Sequence, residues 1–356
     1  MLDLSHTGDV PAGGHQGTTV SIRGREETDG IIFSMRIFIT GASGFIGGAI
    51  TNGLADSHEV RAMSRSERSD GIIRTLGATP VRCELRKVTP EHLAGCEAII
   101  HCAAFVKQWG TREEFWKTTV DGTEQILDAA KQAGVSRFIN IGTEAVLFYG
   151  QHMRDLDETL PYPEHTPFLY PETKAAAETL VLAANTPDFT TMSIRPRFVW
   201  GPGDNTILPV VKRAVERGMY MWIDGGRAQT TTTHINNVLH AVTLALTRGR
   251  GGEAYFFTDD EPTTVREFLT ALLATQGIEM PNTSIPSSVA RMLGIGLEAI
   301  WKTLRLKSEP PLTHFAAAMA SSDCTIRIDK ARAELGYAPV ITIKQGLAEL
   351  AEQNAL

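Results

Sequence analysis

The feature that most constrains this chain is a glycine-rich turn between a strand and a helix. Arg36 to Thr40 alternates and is rich in β-branched and aromatic residues, which predicts a short strand. Gly41, Gly44 and Gly47 follow, and an apolar helical pattern begins there. Bare backbone N–H groups at such a helix N-terminus attract a pyrophosphate. The pattern predicts that Gly41 allows the tight turn, Gly44 the approach of phosphate and Gly47 the packing of helix on strand.

The spacing of these glycines differs from the usual dinucleotide fingerprint, Gly-x-Gly-x-x-Gly. An ordinary glycine-rich turn is therefore the alternative interpretation. However, residues 40–47, Thr-Gly-Ala-Ser-Gly-Phe-Ile-Gly, resemble the nucleotide loop of the extended short-chain dehydrogenase/reductase family, in which this spacing is normal. The resemblance implies that Ser43, Phe45 and Ile46 join the three glycines in binding a nicotinamide dinucleotide.

The composition argues against several classes of function. The chain has 356 residues, of which 42% are hydrophobic and 21% charged, as is typical of a globular protein. Its formal net charge of -7 argues against a nucleic-acid surface. The four cysteines form no C-x-x-C pair, so we expect free thiols in a reducing, cytoplasmic compartment and no metal site. No apolar run reaches the roughly 18 residues of a membrane span.

Strand and helix patterns alternate after the glycine turn. Further strands are predicted at Glu59–Met63, Pro80–Cys83, Ala98–Ala104 and Ser136–Gly142, with a long amphipathic helix over Phe115–Ala133. Strands that alternate with helices of this length form a parallel sheet with helices on both faces. The predicted fold class is therefore α/β, a Rossmann doubly wound parallel sheet with a smaller C-terminal substrate-binding region. Its ligand should lie beyond the carboxyl ends of the strands.

We divide the chain into three parts. Residues 1–34 are predicted to form a flexible N-terminal extension, and an upstream start codon before Met35 is the alternative. Residues 35–195 are assigned to an NAD(P)-binding Rossmann domain. Residues 196–356 are assigned mainly to a substrate-binding region, with 230–250 returning to the Rossmann core.

The end of the second strand decides the type of nicotinamide cofactor. NAD enzymes tend to place an acid there for the ribose 2′-hydroxyl, whereas arginine accommodates a 2′-phosphate. No acid stands at this strand end, while Arg65 and Arg68 follow it. The pattern favours NADP(H) over NAD(H), and a solvated basic turn is the alternative.

The resemblance places further residues along the cofactor. Small residues at the end of the fourth strand would let the cofactor lie across that strand. His101, which precedes these residues, is interpreted as a packed core residue. An acid and a leucine after the third strand stand where the family has Asp-Leu beside the adenine. The cofactor-binding residues inferred in this way are Glu84, Leu85, Cys102, Ala103, Ala104 and Pro196.

A Tyr-x-x-x-Lys pair carries the predicted chemistry. Tyr170 and Lys174 lie four residues apart near the start of an alanine-rich helix, so they share one face. Tyrosine has a reference pKa of about 10, and a nearby ammonium lowers it toward the range for proton exchange. We expect Tyr170 to exchange the proton on the substrate oxygen and Lys174 to hold the nicotinamide ribose. Thr143, after the fifth strand, should donate a hydrogen bond to the substrate carbonyl. A surface helix pair is the alternative.

In the family that this chain resembles, the same features occur in the same order: a glycine loop, a fifth strand, a hydroxyl residue and a Tyr-x-x-x-Lys pair. The family usually has Ser where Thr143 stands, and Thr is an acceptable hydroxyl there. It often has Asn in a proton relay where Thr119 stands. Thr119 cannot offer the same donor and acceptor pair, so the relay is replaced by water or absent.

Downstream segments resemble one branch of the family. That branch is the 3β-hydroxysteroid dehydrogenases, with sterol-4-carboxylate 3-dehydrogenases and 2-alkyl-3-oxoalkanoate reductases. The segments are Ile194–Asp204, His234–Val238, Glu253–Pro262 and Glu309–Thr313. The resemblance covers about residues 35–350.

The substrate pocket is expected to be apolar. Ser287 to Leu306 carries apolar residues at helical spacing, which predicts either a helix packed on the core or a lid that touches a membrane surface. A sugar-nucleotide pocket would need several cations for the diphosphate. Only Arg197, Arg213 and Arg227 are available for that role. The expected mouth consists of Leu147, Phe148, Tyr149, Trp200, Met219, Tyr220, Met221 and Trp222, among which Leu147, Tyr149 and Trp200, together with Thr143, are assigned to the substrate.

These observations predict an NAD(P)-dependent oxidoreductase that interconverts a secondary alcohol and a ketone. The substrate is expected to be a hydrophobic small molecule, either a 3β-hydroxysteroid or sterol, or a 2-alkyl-3-oxoalkanoate. One alternative is a nucleotide-sugar epimerase or dehydratase with tightly bound NAD. Another is a redox-sensing binding protein with an inactive site. The resemblance also allows a homodimer.

Overall fold

The computed structural model describes residues 34–306 and 308–355. The predicted N-terminal extension lies outside these described residues, apart from Ser34. The α-helices are α1 (Phe45–Leu54), α2 (Glu67–Thr75), α3 (Arg112–Gln132), α4 (Leu169–Ala183), α5 (Leu208–Glu216), α6 (Ile235–Ala245), α7 (Val265–Ala274), α8 (Ser287–Thr303), α9 (His314–Ser321), α10 (Asp329–Leu335) and α11 (Ile343–Ala355). The β-strands are β1 (Arg36–Thr40), β2 (Glu59–Ser64), β3 (Thr79–Arg82), β4 (Ala98–His101), β5 (Arg137–Ile141), β6 (Met153–Leu156), β7 (Thr190–Pro196), β8 (Val199–Trp200), β9 (Trp222–Ile223), β10 (Gln229–Thr230), β11 (Thr233–His234), β12 (Glu253–Phe257), β13 (Thr263–Thr264), β14 (Ser284–Ile285) and β15 (Cys324–Ile326).

Seven of the strands form the central sheet, in the order β12-β7-β5-β4-β1-β2-β3. Every neighbouring pair in this sheet is parallel. The direction of winding reverses between β1 and β4, which leaves a crevice beyond their carboxyl ends where such sheets bind ligands. The predicted doubly wound parallel sheet is confirmed.

Alternate residues of β1 face opposite layers of helices, because side chains in a strand alternate between the two faces. Ile37 and Ile39 pack in one buried cluster with residues of α1 and α6. Phe38 packs in a second cluster with residues of α3 and α4. Since both faces are covered, β1 is apolar on both sides from Ile37 to Ile39, as buried parallel strands are.

The chain beyond Pro196 contributes to several layers. It supplies β12 to the central sheet and α6 to one of its helical faces. It also forms a four-stranded sheet, in the order β13-β10-β15-β6, and two strand pairs, β8 with β11 and β9 with β14. Strand β6 comes from before Pro196 and pairs with β15 from after it. The boundary at residue 195 stays a prediction.

The fourth strand is shorter than the sequence predicts. The expected strand continued to Ala104, but β4 ends at His101. The reason is a side chain: the Oγ1 atom of Thr40 accepts hydrogen bonds from the backbone N–H groups of Cys102 and Ala103, both at 3.1 Å. The backbone therefore leaves the ladder at the rim where the glycine turn begins.

Helix α8 presents an apolar face to solvent. Only Ala290 and Gly294 are buried in it, while Met292 is 69% and Ile295 52% exposed. A Cβ atom built on Gly294 would lie 2.8 Å from the backbone nitrogen of His314, so the glycine allows α8 to approach the start of α9. The opposite face packs on the rest of the protein, since Ala290 lies in a buried cluster with Ile223 and Ala317. A lid role for the exposed face stays a prediction. Membrane contact stays a prediction, and no helix in the described ranges is long and apolar enough to cross a bilayer.

Candidate active site

The glycine turn has the geometry that its sequence predicts. Gly41 has φ +71°, and a Cβ atom there would lie 3.0 Å from the backbone of both Cys102 and Ala103. A Cβ atom on Gly47 would lie 2.3 Å from the carbonyl oxygen of Gly41. Gly44 lies at the start of α1, where no side chain caps the helix and no acid occupies the first turn. Because the N-terminal N–H groups of a helix lack intrahelical partners, this end is open to an anion.

The other predicted loop residues surround this helix end. Ser43 and Gly44 are exposed, and Phe45 and Ile46 are half-buried. A phosphate group could therefore approach the turn from solvent without displacing a side chain. The turn and the end of β4 are held together by Thr40, whose hydroxyl also contacts Nδ1 of His101 at 2.8 Å.

His101 lies in the core and faces α3. Its Nε2 atom lies 3.0 Å from the hydroxyl of Thr123, and its exposed fraction is 2%. Burial, and then the charge of Lys174, lower the pKa of His101 to about 3. The ring is therefore neutral at physiological pH and serves packing, as the sequence suggests.

The end of β2 is basic and open to solvent. Arg65 and Arg68 are both exposed. The nearby carboxylate of Asp70 pairs with Arg82, so it does not neutralise these arginines by direct contact. Glu84 is exposed and pairs with Lys87 at 3.1 Å, whereas the neighbouring leucine, Leu85, is buried against Gly122.

Lys174 lies inside the protein beneath the strand ends. Its exposed fraction is 6%, and its Nζ atom donates a hydrogen bond of 2.7 Å to the carbonyl oxygen of Ile141. Burial lowers the pKa of Lys174 to about 8, while the charges of Glu178 and Cys102 act in the opposite direction. Lys174 is close enough to Cys102 to be influenced by it, and the backbone of Cys102 lies next to Gly41. Lys174 and the glycine turn therefore lie at the same edge of the sheet.

Tyr170 lies one turn earlier on α4, beside Thr143. Burial raises the pKa of Tyr170 to about 12, the charge of Glu144 also raises it, and a hydrogen bond with Thr143 lowers it. The sequence predicts that Lys174 lowers the pKa of Tyr170. That expectation is wrong for this structure, because the ammonium group of Lys174 donates to the carbonyl of Ile141, while burial and the negative charge of Glu144 raise the pKa of Tyr170.

Thr143 caps a short 3-10 turn, and its hydroxyl is bound within the protein. It accepts a hydrogen bond from the backbone N–H of Ala145 at 3.2 Å and donates one to Oε2 of Glu144 at 2.8 Å. The other carboxylate oxygen of Glu144 accepts from Arg197 at 2.5 Å. Both members of this ion pair are buried. Arg197 is therefore not free to bind a diphosphate.

An aromatic wall stands next to Tyr170. Phe148 stacks on Phe168 with ring centres 5.4 Å apart, and Phe315 on α9 lies 5.3 Å from Phe168. The ring of Tyr170 lies 5.8 Å from that of Phe315. Phe148 and Phe168 are buried, so the part of this wall that offers an apolar surface next to Tyr170 is the half-buried Phe315.

The residues assigned to the substrate do not all lie next to Tyr170. Tyr149 is 52% exposed, whereas Leu147 is buried in the core. Trp200 is fully buried, and its indole N–H donates to Asp259 at 2.8 Å, so its assignment to the substrate is corrected. Trp222 is also buried and donates to the carbonyl of Pro281 at 2.6 Å. Large aromatic residues mark both pockets and cores, and periodicity does not separate them.

Thr119 and Pro196 have backbone roles. The hydroxyl of Thr119 accepts a hydrogen bond of 3.1 Å from the backbone N–H of Phe105, which fixes the loop after β4. Pro196 ends β7 and is buried next to Phe257 of β12. Ala104 lies in that same loop and is half-buried.

A match to a family model shows which protein family the chain belongs to. The model of the 3-beta hydroxysteroid dehydrogenase/isomerase family matches residues 38–287. The chain belongs to this family. The predicted extended short-chain dehydrogenase/reductase relationship is thereby confirmed.

Three curated relatives of this family member are named as reductases or dehydrogenases. It is 42% identical to a 4-hydroxy-2-methyl-3-oxo-4-farnesyl-3,4-dihydroquinoline-1-oxide ketoreductase of Stigmatella aurantiaca, over 89% of this chain and 96% of the relative. It is 32% identical to a 2-alkyl-3-oxoalkanoate reductase of Stenotrophomonas maltophilia, over 90% and 100%. It is also 32% identical to a decarboxylating sterol-4-alpha-carboxylate 3-dehydrogenase of Dictyostelium discoideum, over 88% and 99%. These matches confirm the prediction of an NAD(P)-dependent oxidoreductase acting on CH–OH groups.

Solved structures share the fold of this family member. A UDP-glucuronic acid 4-epimerase from Bacillus cereus in complex with NAD has a TM-score of 0.69 at 19% identity, over 90% of this chain and 99% of the epimerase. MoeE5 in complex with UDP-glucuronic acid and NAD has a TM-score of 0.68 at 23% identity, over 90% and 100%. At these low identities, the similarity shows only that the fold is shared.

The site of this family member fits a nicotinamide dinucleotide. The bare N-terminus of α1 suits a pyrophosphate, and the clashes met by a Cβ atom at Gly41 or Gly47 show that these two positions have no room for a side chain. No group of His, Cys, Asp and Glu within residues 34–306 and 308–355 has the arrangement of a metal site.

Sequence reasoning missed Glu144 and Phe315. Glu144 follows Thr143 directly, and an acid in an otherwise apolar stretch after a buried strand was the available signal. Phe315 lies 145 positions after Tyr170 in an alanine-rich segment, and nothing in its spacing connects the two.

Proposed function

We propose that this protein reduces a ketone on a lipid-like substrate to a secondary alcohol, with NADPH as the preferred cofactor and Tyr170 as the proton donor. The single observation that carries the proposal is that Tyr170 and Thr143 meet on the rim that also holds the glycine turn, next to an apolar wall. The substrates named for the relatives, a farnesylated 3-oxo quinoline oxide and a 2-alkyl-3-oxoalkanoate, support the choice of a hydrophobic ketone.

The proton chemistry favours reduction. A phenol with a pKa of about 12 keeps its proton at neutral pH, so Tyr170 is ready to donate it to a developing alkoxide. When bound, the cofactor supplies the hydride. Lys174 lies four residues along the same helix and is proposed to orient the nicotinamide ribose. Its hydrogen bond to Ile141 holds the ammonium at the sheet edge.

We propose that the cofactor-binding residues lie together along the carboxyl ends of the strands. The turn would hold the pyrophosphate, and the end of β2 would hold the adenosine ribose. The assigned residues Leu85, Cys102, Ala103, Ala104 and Pro196 are proposed to line the same rim. Glu84 would contact the adenine only if it leaves Lys87, with which it pairs in this structure.

A panel of ketones tests the proposed function. Purified protein should consume NADPH with a 2-alkyl-3-oxo acid or a ring ketone that carries a farnesyl chain, and a secondary alcohol should be the product. Steroid 3-ketones belong in the same panel, because one relative acts on a sterol carboxylate. The proposal fails if no ketone changes the nicotinamide absorbance, or if a nucleotide sugar is epimerised without net use of cofactor.

Replacing Arg65 and Arg68 with serine tests the cofactor preference. We expect the Kd for NADPH to rise roughly 10- to 100-fold and the Kd for NADH to stay the same, because charge-assisted hydrogen bonds contribute about 1.5–3 kcal/mol. Titration calorimetry measures both constants. Arg74→Ser is the matched control, since Arg74 is an exposed arginine at the far end of α2. Equal losses for both cofactors would contradict the assignment.

A further inference from the structure

The loop between β4 and α3, residues 102–111, connects two sides of the candidate site. It begins at Cys102, whose backbone would lie 3.0 Å from a Cβ atom on Gly41. It ends at the start of α3, where Arg112 forms two hydrogen bonds, of 2.6 and 2.7 Å, with Glu172 of α4. Helix α4 also carries the proposed proton donor. The loop therefore runs from the glycine turn to the helix of the reacting phenol.

The first part of this loop is fixed to α3, and its middle is open to solvent. The backbone N–H of Phe105 donates a hydrogen bond of 3.1 Å to the hydroxyl of Thr119. The ring of Phe105 lies 4.5 Å from that of Phe115, which is buried. Beyond this anchor, Val106 is 66% exposed and Gln108 is exposed. The position of the middle of the loop therefore depends on what it contacts on the other side of the site.

Gln108 makes these contacts with a distant part of the chain. Its backbone N–H donates a hydrogen bond of 3.2 Å to Oε1 of Glu309, which lies 201 positions later. Its side-chain oxygen accepts a hydrogen bond of 3.1 Å from the hydroxyl of Thr313. The next residue, Trp109, has its ring centre 5.7 Å from the Nζ atom of Lys302 on α8. The middle of the loop is thus held against the end of α8 and the start of α9.

Thr313 belongs to the helix that forms the apolar side of the site. It is the N-cap of α9, where its hydroxyl accepts from the backbone N–H of Ala316 at 3.0 Å, and it is buried. Two residues later, the ring of Phe315 lies 5.8 Å from that of Tyr170. The bond between Gln108 and Thr313 therefore joins the cofactor side of the site to its substrate side.

We propose that Gln108 is a positioning residue that holds the β4–α3 loop closed over the bound cofactor and thereby slows the release of NADPH. The proposal rests on the proposed binding of NADPH along the strand ends. Loops that close over a site commonly control the release of ligands. A single hydrogen bond between neutral groups changes an equilibrium by roughly 2- to 12-fold, so this loop is held firmly enough to delay release and weakly enough to open in each turnover.

Gln108→Ala tests this role. It removes the acceptor for the hydroxyl of Thr313 and leaves the bond by which Thr313 caps α9. The dissociation rate of NADPH, measured by stopped-flow displacement with excess NADP⁺, should rise roughly 2- to 12-fold. The unfolding temperature should change little, because the side chain of Gln108 is exposed. A residue with only a structural role would instead lower the unfolding temperature and leave the dissociation rate as it is.

Glu309→Ala tests the same closure from the opposite side. It removes the acceptor for the backbone N–H of Gln108 and should also raise the dissociation rate of NADPH. Lys107→Ala is the matched control, since Lys107 is exposed on the same loop and forms neither bond of Gln108. Its dissociation rate should equal that of the parent protein. Unchanged rates in both test variants, or an equal rise in the control, would overturn the inference.

Limited digestion with trypsin measures the closure in the parent protein itself. Trypsin cleaves after lysine, and Lys107 is exposed within the loop. Cleavage follows the population of the open form when opening is fast. Saturating NADPH should therefore slow cleavage after Lys107 in the parent protein, and less so in Gln108→Ala. Equal cleavage with and without NADPH would contradict closure, whereas a parent protein that binds no NADPH at all would defeat the proposed function as well.

Discussion

Replacing Tyr170 with phenylalanine should lower kcat for ketone reduction by roughly 10²- to 10⁴-fold, the usual contribution of a positioned acid or base. The substitution removes only the phenol oxygen and keeps the ring next to Phe315. The Kd for NADPH and the unfolding temperature should therefore change little. Steady-state kinetics, with calorimetry for the cofactor, measure both effects.

Tyr255→Phe is the matched control for this experiment. It also removes one phenol oxygen, but that oxygen bonds Glu334 at 2.7 Å and the backbone of Arg250 at 2.8 Å. We expect a loss of about 1 kcal/mol in the free energy of unfolding and no change in kcat. If Tyr170→Phe retained full turnover, Tyr170 would not be the proton donor.

Replacing Glu178 with alanine should lower the free energy of unfolding by about 3–5 kcal/mol, because it leaves Arg195 as an unpaired buried charge. Glu178 is fully buried and accepts hydrogen bonds from Arg195, Ser193 and Tyr162, the last at 2.7 Å. The pair joins α4, which carries Tyr170, to β7. Denaturant unfolding measures the loss.

An exposed ion pair on the same helix provides the comparison for Glu178. Glu172 binds Arg112 through two hydrogen bonds, but 58% of the arginine side chain and 32% of the carboxylate side chain are exposed. Glu172→Ala should therefore change the free energy of unfolding by less than about 1 kcal/mol. Similar losses for the two variants would mean that burial does not set the strength of the Glu178 pair.

The sequence predicted the parts of the site that depend on backbone geometry. Gly41 and Gly47 have the predicted roles because a strand-to-helix turn of this kind leaves no room for a Cβ atom, and such a restriction is visible in the order of residues. The pair of Tyr170 and Lys174 was found for a similar reason, since spacing of four places two residues on one helix face.

The parts that the sequence did not predict depend on contacts between distant segments. Arg197 was considered as a candidate phosphate ligand, yet it meets Glu144 inside the protein. Trp200 was assigned to the substrate, yet it fills the space next to Phe268 and His234. The pKa of Tyr170 was expected to fall, and it rises because burial and a carboxylate outweigh the other effects. A charge or a large ring in a sequence does not specify its partner.

The two ends of the proposed dinucleotide site differ in how freely they could change. Gly41 lies against the backbone of Cys102 and Ala103, which follow β4, so a larger residue at this position would disturb the fold itself. Arg65 and Arg68 stand in solvent at the edge of the sheet. Substitutions at the end of β2 could therefore change the nicotinamide cofactor that the enzyme prefers, while the rest of the structure stays the same.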